Sequence, residues 1–429
     1  MMAKDPLEPD AATSGTSGSE GAGSWQHDPA TRLPEETDIG SSLRKVRKRR
    51  GLTQRGLADI SGVSLSLIRK LEQGEIADTR METAHRLASA LRVPTSCLLE
   101  RDDEEPAAEA AEPWRPLGRA VQVATVRTGQ APTVEGVRAM LPEVRSAYFD
   151  NRLGELTGLL APLLADADAL GDSAEARDVR SHLLQIAGSV LTQVRQFDAA
   201  ETALRRALDA APDRLRAAGI ITTWSWLLVR QGKLAASREL ATKWADDAEP
   251  KMSRATPEEL AAFGWLLTQA SAAALRDNRL GEADDTMRLA QSVSVLLGRE
   301  LPRGTERLAT WGPTTVRYKA CERHIVLDQP DKVLRAVKPK RSGRAAPGTH
   351  GGLAVSTEYH RHRLDVAKAH TMMRQYPEAV DVLTGVHVEA PEWLASQRYA
   401  RDILGDVVER RRTLTPEMRT LADAVGVPL

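Results

Sequence analysis

Apolar residues recur at helical spacing along most of the chain, first between Ile39 and about Leu99. Leu43 and Val46 mark the inward face of a first helix, from about Ile39 to Arg50. Thr53 stands at an N-cap position before a second helix, "QRGLADIS", and Gly62 supplies a tight turn after it. In "GVSLSLIRKLEQGE", Val63, Leu67, Ile68 and Leu71 share one face of a third helix, with Ser64 as its cap and Gly74 at its end. Leu65, Ser66, Arg69 and Lys70 are left on the opposite face, where a leucine beside two cations is unusual for a solvated surface. A fourth helix, "DTRMETAHRLASALRV", places Met81, Ala84, Leu87, Ala88 and Leu91 on one side, and "TSCLLE" adds a short turn.

From about Thr133 onward nearly everything reads as amphipathic helix, and strand signals are almost absent. The fold class is therefore all-α. The long helical region also repeats itself. "NRLGE" occurs at 151–155 and again at 278–282. A looser pattern follows it: an apolar or ring residue, a small or apolar residue at +3 and an apolar residue at +7. It fits Leu153/Leu156/Leu160, Phe197/Ala200/Leu204, Leu234/Ser237/Ala241, Leu280/Ala283/Met287, Pro330/Val333/Val337 and Tyr376/Ala379/Leu383, at intervals of 44, 37, 46, 50 and 46 residues. Each interval has room for two helices and a turn, and stacked helical hairpins bury what one hairpin cannot. The turns are expected at Arg195-Gln196-Phe197, Gly232-Lys233-Leu234, Asn278-Arg279-Leu280 and Arg374-Gln375-Tyr376. A last helix pair, "EWLASQRYARDILGDVVER" and "PEMRTLADAVG", caps the array.

Composition adds little until it is read locally. The chain has 59 cations and 59 carboxylates, so its net charge names no partner. Residues 39–95, however, carry twelve cations against five carboxylates, and residues 1–38 carry two against eight. One compact basic segment is thus flanked by acidic sequence. The expected organisation is a disordered acidic tail at 1–37, a basic helical domain at 38–100, a linker at 101–132 containing "RDDEEPAAEAAEPWRP", and a helical-repeat domain at 133–429. Cys97 and Cys321 form neither a disulfide framework nor a zinc signature, which suits a cytoplasmic protein. No apolar run reaches the ~18–20 residues of a spanning helix, so no membrane partner is expected.

Two helices joined by a short glycine turn make a helix-turn-helix. "LTQRGLADISGVSLSLIRKLEQGE" resembles the lambdoid phage repressor family, often called XRE, through Leu52, Thr53, Gln54, Leu57, Ala58, Gly62, Val63, Ser64, Ile68, Leu71, Glu72 and Gly74. The resemblance implies double-stranded DNA as partner. It places Gln54 against a phosphate, and Ser64, Leu65, Ser66 and Lys70 at base edges in the major groove. Arg69 lies beside them, and Arg44 and Lys48 of the basic first helix join the DNA-binding set. Arg47 and Glu72 match an internal ion pair, so Glu72 is assigned a structural role. Two positions depart from the family: Gly56 inside the second helix, and Arg92 where a glycine is common. One such domain reads few base pairs, and a homodimer held by the repeats is expected.

The repeats resemble a degenerate tetratricopeptide array over roughly 150–390. A helix-turn-helix head on such a body is similar to the peptide-responsive RRNPP regulators and to a set of actinobacterial regulators. That implies an XRE-type regulator of transcription, controlled by a peptide, small-molecule or protein effector on the array, whose binding residues are left unknown. Asn151 and Asn278 are the only asparagines and both fall in "NRLGE", which weakens any carry-over of peptide contacts. Trp224, Trp226, Trp244, Trp265 and Trp311 lie in the central array, as packing anchors or pocket lining. The alternative is an interaction scaffold that uses DNA only as an anchor. No metal-protease motif, phosphate loop or catalytic Ser/His/Asp set stands out, so neither enzymatic activity, cofactor nor metal is expected.

Overall fold

The first four helices form a small head. They are α1 (Ile39–Arg49), α2 (Gln54–Ser61), α3 (Leu65–Glu72) and α4 (Met81–Leu91), followed by a 3-10 turn at Thr95–Leu98. The computed structural model describes residues 39–76, 79–99, 112–122, 131–303, 308–337, 357–411 and 413–428. Leu43, Leu57, Ile68, Leu71, Leu87 and Leu91 meet in a single core. Caps fix the helix starts: the Thr53 hydroxyl accepts from Gly56 N at 2.9 Å and the Ser64 hydroxyl from Leu67 N at 3.2 Å. Gly62 ends α2 in the left-handed region, at φ 68°. Arg92 ends α4 in the same region, at φ 54°, a conformation that disfavours a side chain. Gly40 has a different task. A Cβ there would lie 1.8 Å from the Leu71 carbonyl oxygen, so only glycine lets α1 approach the end of α3 so closely.

The rest of the described chain is helical, and its β contact is one bridge between Leu301 and Trp311. After α5 (Arg115–Gln122) come six helical pairs: α6 (Val134–Phe149) with α7 (Leu153–Ala169), α8 (Ala174–Gln193) with α9 (Phe197–Asp209), and α10 (Arg214–Arg230) with α11 (Leu234–Ala248). The series continues with α12 (Pro257–Arg276) and α13 (Leu280–Leu297), α14 (Pro313–Val326) and α15 (Pro330–Val337), and α16 (Thr357–Met372) and α17 (Tyr376–Glu389). α18 (Pro391–Ala395), α19 (Arg398–Val408) and α20 (Pro416–Val425) close the chain.

Each residue that opens the repeat pattern is the first residue of its second helix. Two positions earlier, every turn has positive φ: Asn151, Arg195, Gly232, Asn278, Asp328 and Arg374. The +3 residues Leu156, Ala200, Ser237, Ala283, Val333 and Ala379 are all buried. The sequence pattern is therefore a left-handed turn followed by the face that packs on the first helix of the pair.

Part of the span expected as a linker is helical. Residues 115–122 form α5, which buries Leu117, Ala120 and Val121 in the first core of the array. Its short length and flanking prolines hid an apolar face of one turn and a half. Residues 101–111 and 123–130 of that span lie outside the described residues, as do the expected acidic tail and the loop at 338–352.

The array curves until its ends meet. Glu392 at the start of α18 accepts from Gly154 N of α7 at 2.9 Å. Across the interior, the Arg361 guanidinium of α16 lies 4.5 Å from the Trp226 ring centroid of α10. Trp265 and Trp311 are packing anchors at 4 % and 0 % exposure, and Trp224 and Trp244 are half-buried against the same cores. Gly264 makes room for Trp311, because a Cβ there would fall 2.0 Å from the indole.

Head and array belong to one compact unit, residues 37–429. The head docks through α4 and the 3-10 turn, onto turns of the array. Asp277 accepts from Ser96 N at 2.9 Å, and Asn278 donates to the Val93 carbonyl at 3.3 Å. His85 Nδ1 lies 3.1 Å from the Arg276 carbonyl. Arg86 pairs with Asp328 at 3.3 Å. Arg80 reaches Asp402 at 3.4 Å and Asp406 at 3.2 Å on α19. Lys368 of α16 completes the contact, at 3.1 Å from Glu82 and 3.0 Å from Asp406. Burial would lower the Lys368 ammonium, but those two carboxylates hold it above its ordinary value.

Candidate nucleic-acid interface

The residues expected to meet DNA come together on the side of the head formed by α1, α2 and α3. The core-facing stripe of α3, Ile68 and Leu71, fixes which residues turn outward. Ser64, Ser66, Arg69 and Lys70 are exposed, and so are Arg44 and Lys48 of α1. Among the described residues, the side chains of Arg69, Lys70 and Lys48 make no hydrogen bond or ion pair. Unpaired cations on one face are what a phosphate backbone requires. The array does not claim this face, since the head–array contacts lie on α4 and beyond.

The fastening of this face is electrostatic. Arg47 and Glu72 form a two-pronged pair, Nε to Oε1 at 2.5 Å and Nη2 to Oε2 at 2.6 Å. The pair is shielded, with 9 % and 2 % of the side chains exposed. Arg47 Nη1 also donates to the Leu52 carbonyl at 2.7 Å, so one guanidinium ties α1 to both the α1–α2 turn and α3. Burial would raise the Glu72 carboxyl; the Arg47 and Gln54 hydrogen bonds and the nearby positive charges outweigh it and hold the group below its ordinary value.

Two expected contacts look different in the structure. The Gln54 side-chain amide donates to Glu72 Oε2 at 2.8 Å. It is part of the internal clasp, and only the second hydrogen of that amide is left to face a phosphate. Leu65 is half-buried rather than fully outward. The Ser64 hydroxyl accepts the capping bond and keeps its own hydrogen to donate. The Glu72–Gln54 bond has no signature of its own in the sequence, because either partner fits several roles. The docked face of α4 was equally invisible: Arg80, Glu82, His85 and Arg86 read as ordinary solvated helix.

Comparison with known proteins bears on this domain. The helix-turn-helix family model matches residues 43–96, which bears out the XRE-type resemblance; α1 to α4 and the 3-10 turn are a helix-turn-helix domain. No curated protein matches the sequence. Among solved structures, the chain is similar to Bacillus thuringiensis PlcR in a crystal structure with the peptide PapR7 and DNA. That similarity covers 80 % of this chain and 98 % of the other at 12 % identity, with a TM-score of 0.31. A likeness of that size says nothing about what this chain binds.

Proposed function

We propose that this chain is a sequence-specific DNA-binding regulator of transcription, with α3 as its reading helix and the array as the part that receives an effector or partner. The observation that carries the reading is the exposed, unpaired face of α3 within a matched helix-turn-helix domain. Ser64, Leu65, Ser66, Arg69 and Lys70 are assigned to the major groove. Lys70 suits guanine O6 and N7, and Leu65 suits a thymine methyl. Arg44, Lys48 and the free amide hydrogen of Gln54 are assigned to phosphates. Arg47 and Glu72 hold the scaffold and touch no base.

A single α3 carries one strong polar reader, so specificity calls for two heads. We assign the dimer contact to the array. Val295 and Leu296 of α13 are 77 % and 54 % exposed and give that helix an uncovered apolar strip, which supports the assignment. A regulator acting on a chromosome works in the cytoplasm, and no helix of the described residues is long and apolar enough to cross a membrane.

Selection of the full chain on a random duplex library tests the proposal. The expected result is one short motif, repeated with two-fold symmetry and half-sites about one helical turn (~34 Å) apart. Recovery of unenriched sequence, with tight capture of a protein partner instead, would favour the scaffold reading. Val295→Asp with Leu296→Asp should halve the mass seen by light scattering and weaken operator binding.

A further inference from the structure

The interior of the array holds arginines that nothing among the described residues neutralises. Trp226 of α10 carries a guanidinium near each neighbour: Arg361 of α16 at 4.5 Å from the ring centroid and Arg230, one turn along α10, at 5.9 Å. Arg230 Nη2 and Arg361 Nε are both enclosed and without a hydrogen-bond partner. Neither arginine has an ion pair among the described residues, whereas most interior arginines of the array do. Arg216 reaches Asp178 at 2.9 Å, Arg206 reaches Asp168 at 2.5 Å and Arg323 reaches Asp284 at 2.5 Å. Two more cations act on Arg230, namely Arg195 of the α8–α9 turn and Arg398 at the start of α19. Burial first, and then Arg361, Arg195 and Arg398, push the Arg230 guanidinium down to about 9. The contacting elements come from the second, third and sixth pairs and the closing helices, so the cluster lies where the curved array faces itself.

An enclosed cation is costly unless paired, and a cation–π contact offsets only part of that cost. Guanidinium forks match carboxylate and phosphate oxygens in pairs. We propose that Arg230 and Arg361, with Trp226 between them, form a binding site for the anionic group of a small ligand, a carboxylate or a phosphate. This deepens the regulator reading by naming the chemistry of its effector. Arg398 opens α19, the helix whose Asp402 and Asp406 hold Arg80 of the head, so an occupant would sit one helix away from the docked DNA-binding domain.

The test is a thermal melt and calorimetric titration of the full-length chain, at an ionic strength held constant with chloride. The probes are pyrophosphate, adenosine monophosphate and the peptide Gly-Ala-Ala-Ala-Phe with a free or an amidated carboxy terminus. The expected result is a saturable rise in melting temperature of about 2 °C or more with at least one anionic probe. Arg230→Gln and Arg361→Gln should each abolish it. A response to pyrophosphate or the nucleotide identifies phosphate, and preference for the free over the amidated peptide identifies carboxylate. Without any probe, Arg230→Gln should melt no lower than the parent chain, because an uncompensated charge has been removed. The proposal is overturned if no anion gives a saturable response, if both variants respond like the parent, or if Arg230→Gln alone melts markedly lower. DNA selectivity is measured separately. Its loss would sink the regulator reading and leave the anion site standing.

Discussion

The head has two charged faces that differ in one respect: whether the rest of the chain answers them. On α3, Arg69 and Lys70 are exposed and have no partner among the described residues. On α4 and at its N-cap, Arg80, Glu82 and Arg86 each meet an opposite charge on the array, across more than 240 residues of sequence. Both faces are polar, but only that of α3 stood out in the sequence. The difference separates a surface used within the molecule from a surface kept for something outside it. The array thus positions the head without covering the face proposed to read DNA.

The strongest way to break this contrast is to loosen the clasp beneath the reading face. Glu72→Ala leaves Arg47 buried without its carboxylate and releases Gln54, at a cost of about 3–5 kcal/mol. Hydrogen exchange should rise across α1 to α3 while α12 and α13 stay protected. Affinity should fall equally on selected and random duplexes. Loss confined to the selected site, with unchanged protection, would make Glu72 a base contact instead.

A smaller effect sharpens the other face. Lys368 is 8 % exposed, but its partners Glu82 and Asp406 are 48 % and 25 % exposed, so solvent screens the bridge. Lys368→Ala should cost on the order of 1 kcal/mol. Exchange should quicken in α4 and at the 3-10 turn and remain unchanged in α3. Equal quickening in α3 would mean that docking and reading are not separate surfaces.

The smallest effect is a pH dependence. Burial depresses the His85 imidazole below its ordinary value near 6.5, against the opposing bond to the Arg276 carbonyl. A depressed histidine favours the docked state while neutral. Its contribution is full above about pH 6.5 and is lost as pH falls toward the lower, docked value. Docking followed by exchange in α4 should therefore weaken as pH falls below about 6.5, and His85→Gln should flatten that slope. A slope that survives the substitution would assign it to another group.

How much of this was legible follows physical lines. Caps and turns act locally, so Thr53, Ser64, Gly62 and four of the six repeat turns showed in the sequence, though not their left-handed backbone. The pair of Arg47 with Glu72 showed only through the family pattern, since 25 residues separate them. Long-range fit did not show. Gly40 reads as a poor helix residue until the Leu71 carbonyl is beside it, and Gly264 until Trp311 is. The polar residues of α4 read as surface because their partners lie in turns of the array whose placement depends on how the pairs stack. Arg230 and Arg361 carry no motif at all; only the closure of the array brings them to one tryptophan.

The central claim is that α3 reads sequence. The most direct measurement is the ratio of affinities for a selected operator and a random duplex at one fixed salt concentration, for the parent chain and Lys70→Ala. The predicted result is a ratio that falls by about 1–3 kcal/mol, with preference relaxed at one base pair per half-site and random-duplex affinity only slightly reduced. An equal loss on both duplexes, leaving the ratio unchanged, would contradict it.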